Sequence, residues 1–147
     1  MAKNISAVGT KIVIRGLGTG SVTVTDFSDD QTPFDVQAVE TGGAGMNIQG
    51  DMNFWQKSNM VQISIGVTPD SVSDHKLHAM FCACKVRNGG VGYRIPDRGG
   101  QMEITQNGGI SESYVCVVPN QMPAGHSASN DGRFTGRVYT FFAEDCS

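Results

Sequence analysis

His75, His78 and Cys82 follow one another at intervals of three and four residues, which places them on successive turns of one helix. Imidazole and thiolate are donors that zinc accepts, so a shared metal is the chemistry to weigh first. Zinc sites need three or four ligands, usually gathered from two elements, and no further His, Cys or carboxylate cluster stands nearby in the sequence. The reading is therefore histidines on a solvated helix face, with no metal. Ser71, Ser73, Asp74 and His75 are the ingredients of a hydrolase, but they crowd together at a helix start, where Ser and Asp act as caps, and no Gly-x-Ser-x-Gly elbow accompanies them. Gly16-x-Gly18-x-Gly20 follows a strand as a phosphate-cradling loop does. Its last spacing is wrong and another strand comes next, so phosphate finds no helix N-terminus there and the motif reads as a turn. No acid, base and nucleophile form a coherent set, and the chain is expected to be neither an enzyme nor the holder of a cofactor.

The four cysteines do not form the framework of a small secreted fold. Cys82 and Cys84 lie two apart on the expected helix and face different sides, and Cys116 alternates within a strand. Buried or half-buried reduced thiols are the reading, with Cys146 an exposed free thiol.

The elements that position these residues come from periodicity and punctuation. Met60–Val67 alternates without a break, which sends Val61, Ile63, Ile65 and Val67 one way and Met60, Gln62, Ser64 and Gly66 the other. Pro69, Asp70 and Ser71 then announce a helix over about 71–87. Asp74 completes a partial capping box, Leu77, Met80, Phe81 and Cys84 stand at helical spacing, and Gly89-Gly90 ends it. Upstream, 11–15 and 21–26 make a hairpin and 34–40 a further strand. Downstream, 91–98 and 101–106 are short strands around Pro96-Asp97 and Gly99-Gly100. Gly108-Gly109 turns the chain into 113–118, Pro119 stops that strand, 123–132 is a surface loop, and 137–142 is the last strand. The fold class that follows is mainly β: a β-sandwich or small barrel with one flanking α-helix, in a single domain over 1–147.

Composition agrees. At 147 residues with 19 glycines and 17% charged residues, the chain is rich in turns and uncharged strands and large enough for a core without disulfides or metals. A formal net charge of -3, from 11 Lys+Arg against 14 Asp+Glu, excludes a surface built to grip nucleic acid. The first residues lack the apolar core of a signal peptide, and no window approaches the roughly 18 apolar residues of a membrane span, so a soluble product made in a cytoplasm and no membrane partner are expected.

The stretch over about 41–58 is unusual. It is a long Gly-rich loop, yet it carries Met46, Ile48, Met52, Phe54 and Trp55, which have no reason to sit in a linker unless something covers them. Trp, Phe and Met are enriched where protein surfaces meet, so the stretch reads as an assembly arm. The alternative is a loop folded over one open end of the sandwich.

The order of parts resembles a known family. An N-terminal hairpin, Gly45-Met46-Asn47-Ile48-Gln49-Gly50-Asp51, the strand Val61–Ile65, the helix start Pro69-Asp70-Ser71-Val72-Ser73-Asp74 with Leu77 and Met80, and Pro96-Asp97 before three strands together are similar to the tail tube proteins of contractile-tailed bacteriophages. The type VI secretion protein Hcp shares that fold. The resemblance implies hexameric rings that stack into a hollow tube inside a contractile sheath. It also implies a virion location after assembly in the host bacterial cytoplasm. The partners implied are further copies of the chain, the sheath protein, baseplate and tail terminator proteins, and DNA in passage without sequence recognition. By the same analogy Met46, Ile48, Met52, Phe54 and Trp55 lie at a subunit interface, and Thr23, Thr25, Gln62 and Ser64 face the lumen. These faces carry hydroxyls and amides rather than the carboxylates that would repel phosphate. Other tail or baseplate tube components and an Hcp-like secretion tube are rival readings, and a small ligand-binding β-barrel is the rival from another class.

Overall fold

Alternation decides the largest elements. The computed structural model describes residues 6–146 apart from Thr19, Asn88, Gly92 and 107–109. In β6 (Val61–Val67), Val61, Ile63, Ile65 and Val67 all turn into the core, while Gln62 and Ser64 stay half-buried on the opposite side. β6 runs antiparallel between β3 (Phe34–Val36) and β11 (Arg137–Ala143), in a register that sets Tyr139 opposite Ile65 and Phe141 opposite Ile63. A second group centres on β1 (Lys11–Arg15), flanked by β2 (Val22–Val24) and β9 (Gly100–Thr105). Its register aligns Ile12 with Val24 and Ile104, and Ile14 with Val22 and Met102, so all six enter the same core.

One strand belongs to both groups. β10 (Ser111–Gln121) pairs with β9 and with β12 (Asp145–Cys146) through its first half and with β11 through its second, giving the order β2-β1-β9-β10-β11-β6-β3. Its register shifts between Val115 and Val117, where Cys116 has φ 54, and again between Pro119 and Gln121. Such bulges bend a strand and increase its twist, so the sheet curls around one hydrophobic cluster. It remains open and does not close into a barrel: β2 and β3 end the path, and between them Phe27 makes a lone bridge to Val67. Pro119 does not stop the strand as its type suggests. It sits beside the second bulge, beyond the last residue that pairs with β9, where a missing N–H costs least.

The flanking helix α1 (Val72–Cys84) begins as its sequence predicts, with Ser71 Oγ accepting from Asp74 N at 3.2 Å. Leu77, Met80 and Phe81 enter the core, and Phe81 meets Tyr139 and Phe141 edge-on at centroid distances of 5.2 and 5.0 Å. The helix start is also tied to the strands. Ser73 Oγ donates to Asp26 Oδ2 at 3.1 Å and accepts from Thr25 N at 3.2 Å. Fully buried Asp74 accepts from Arg137 Nη1 at 2.9 Å and from the Tyr139 hydroxyl at 2.8 Å. Burial, then the hydrogen bond to the Asp74 carboxylate, pushes the Tyr139 phenol far upward, which keeps it a neutral donor. Asp74 thus does more than cap: its carboxylate takes the N–H of Asp70, at 3.1 Å, and locks the helix to β11.

The helix ends at Cys84, earlier than 87, because Lys85 is extended and the chain enters a small hairpin of β7 (Val86–Arg87) and β8 (Gly90–Val91). Gly89-Gly90 belongs to that hairpin and not to the helix end. Among the described residues of the expected strand over 91–98, only Val91 belongs to a strand, β8. The Gly108-Gly109 turn lies outside the described residues, although β9 and β10 on either side of it pair antiparallel. No helix among the described residues is long and apolar enough to cross a membrane.

Candidate assembly surface

The stretch over 41–58 is a β-hairpin and not the open loop that its glycines suggest. β4 (Gly42–Met46) pairs with β5 (Met52–Gln56) as a separate two-stranded sheet, aligning Gly43 with Trp55, Ala44 with Phe54 and Met46 with Met52. The turn forms because Asn47 accepts from Gly50 N at 3.1 Å through its carbonyl and from Asp51 N at 2.8 Å through its side chain, and Gly50 supplies a φ of +89. Gly43 is required by its partner. A Cβ there would stand 2.5 Å from the Trp55 indole, which covers the bare backbone of the glycine strand. At the base, Lys57 Nζ meets Glu40 Oε2 at 2.8 Å, and Asn59 Nδ2 donates to Glu40 O at 3.0 Å.

Register sorts the large residues. Ala44, Met46, Met52 and Phe54 share one face, and Trp55 lies on the other with Gly43 and Asn53. Met46 is 70% exposed, Met52 61%, Phe54 75% and Trp55 50%, and Ile48 at the tip is fully exposed. The hairpin therefore brings all five expected interface residues together on one projection, and it is not folded over an end of the sheet. A two-stranded hairpin is marginal in water without a covering surface.

The four residues expected at a lumen stand on two separate strands. Thr23 and Thr25 are exposed on and just after β2, and Gln62 and Ser64 lie on β6, far along the strand order. All four point away from the core. His75 Nε2 lies 2.9 Å from Asp70 Oδ1, and His78 Nε2 3.5 Å from Cys82 Sγ. Among the described residues no three His, Cys, Asp or Glu side chains are grouped to hold a metal ion. Cys84 is half-buried near Leu17 O, and burial raises its thiol; the side chain of Cys146 lies outside those described.

One exposed feature escaped the sequence reading. The loop over 123–132 continues into a narrow turn in which Ala128 bridges Phe134, and Phe134 is exposed against His126. Arg133 clamps Asp29 at 2.6 Å, lowering that carboxyl and raising its own guanidinium, and Asp30 accepts from Ser28 Oγ and Gly136 N. The signal was absent because Arg133 and Gly136 lie about a hundred residues from Asp29 and Asp30 in the chain.

Residues 3–147 match a family model described as tail fiber protein gp32. No curated protein matches. Among solved structures, a chain of the anti-feeding prophage cap, the AFP tube terminating cap, is similar, with 15% identity and a TM-score of 0.44 over 100% of this chain and 91% of that chain.

Proposed function

Because the chain belongs to the tail fiber protein gp32 family and is a phage tail-associated structural protein, we propose that it is the repeating subunit of a tail tube. Six copies form a ring, and rings stack into a conduit for DNA inside a contractile sheath. The role is architectural and not catalytic. The carrying observation is the hairpin of β4 and β5, whose Met46, Ile48, Met52 and Phe54 stand exposed to more than half their area on a projection that no other strand covers. Further copies of the chain are the partners for that face. The sheath protein surrounds the tube, and baseplate and terminator proteins meet its ends. A net charge of -3 supplies no cationic excess to hold DNA, and Thr23, Thr25, Gln62 and Ser64 are the candidates for a nearly neutral wall.

Electron microscopy and sedimentation of the purified protein test this. Wild type forms hollow rings or tubes, and a Met46→Ser, Phe54→Ser double variant stays monomeric with an unchanged fold. Hydrogen exchange over 42–58 slows on assembly, and equal exchange in both states sinks the arm. The family description favours a second reading, a tail component outside the tube. Particles without a through-channel would decide for it.

A further inference from the structure

A groove of about 660 Å³ crosses the body, lined by Phe81, Ile95, Pro119, Met122 and Val138, with exposed Lys85 among its walls. No residue of the hairpin lines it. Arm and groove occupy different places along the β6–β11 pair. The chain passes from the arm into β6 at Val61, which faces Ala143, whereas Val138 of the groove faces Gly66. Pro119 of the groove faces Phe141, which faces Ile63, so the groove runs along the levels of Ile63 to Gly66 and takes in none of the arm. An apolar projection and a separate apolar recess on the same chain form a heterologous pair, the geometry that builds rings and stacks and not closed dimers. Charge agrees as well: Asp51 stands exposed at the arm tip beside Met52, and Lys85 borders the recess.

We propose that the groove receives the β4–β5 hairpin of a second copy, with Met46, Met52 and Phe54 seated against Phe81, Ile95 and Met122 and with Asp51 beside Lys85. The assignment rests on the self-assembly reading above. It is tested with two variants that each keep half of the contact. Met46→Ser with Phe54→Ser removes the arm but keeps the groove. Ala124→Trp fills the groove from an exposed loop position and keeps the arm. In sedimentation velocity each variant alone loses assembly by about 30-fold or more in affinity, and an equimolar mixture gives one-to-one heterodimers that grow no further. Asn120→Trp repeats the block from the neighbouring wall if Ala124→Trp does not fold. Lys85→Glu weakens assembly, and Asp51→Lys on the same chain restores it. Groove-filled protein that assembles like wild type, or a mixture that stays monomeric, overturns the groove. Wild type that never assembles at any concentration overturns the self-assembly reading itself.

Discussion

β4–β5 and β6–β11 are both antiparallel pairs with large apolar side chains set opposite one another, yet their environments are reversed. Ile65 and Tyr139 face each other with no exposure at all, whereas Met46 and Met52 face each other 70% and 61% exposed. Hydrophobic strand content does not separate them. What differs is the covering layer: Phe81 of α1 lies edge-on over Tyr139 and Phe141, and the arm is a sheet of its own. A strand's own residues make it want burial, and the rest of the chain decides whether that want is met within one molecule.

The comparison breaks if the same substitution has the same effect in both places. Phe141→Ala should cost about 3–5 kcal/mol in urea unfolding, because it empties a fully packed site. Phe54→Ala should fall within about 0.5 kcal/mol and act only on assembly. Equal losses would mean that the arm is part of the body's core. Asp74→Asn comes next. It leaves Arg137, 7% exposed, without its charge partner and should destabilise by about 3 kcal/mol, read by the same unfolding curve, with the arm's exchange rates unchanged. A smaller effect is expected of Gly43→Val, whose side chain must evict the Trp55 indole. The emission of this single tryptophan should shift to the red while body stability changes by less than about 0.5 kcal/mol.

The smallest effect is that of acid. Asp30 is held below its ordinary 3.8 first by the Ser28 hydroxyl and then by the Gly136 N–H. A carboxyl depressed in the folded state adds stability above its unfolded value and loses it as pH falls through the folded one. The protection of the Gly136 amide, its exchange rate relative to the intrinsic rate at each pH, should therefore fall below about pH 3.8 while the protection of the arm, which lacks that clamp, stays unchanged.

Much of the body was legible because alternation and capping are local signals. Ile63 and Ile65 announce their face, and Ser71 caps as its neighbours imply. The arm was legible as a surface but not as a hairpin. Gly42, Gly43 and Gly45 read as loop, and what makes a strand of them is Trp55 lying across Gly43, a pairing that only the register reveals. The second role of Asp74 was hidden for the same reason, since Arg137 and Tyr139 come more than sixty residues later. Pro119 misled because its tolerance depends on an open strand edge, a property of the sheet and not of the residue. The polar outward positions Thr23, Thr25, Gln62 and Ser64 were read correctly as outward, but local alternation says nothing of which strand ends become neighbours.

The placement of β11 between β6 and β10 has a consequence for the order in which a ribosome delivers the chain. The arm and β6 emerge early, after β3, and the second strand that must lie beside β6 comes long afterwards, after both bulges of β10. Non-local pairing of this kind is slow to form and leaves apolar edges exposed meanwhile. Yet the groove needs Pro119, Met122 and Val138, which arrive late. If the arm seats in the groove of another copy, an unfinished chain can offer an arm but no place for one, so it can end a polymer but not extend it until synthesis has passed β11.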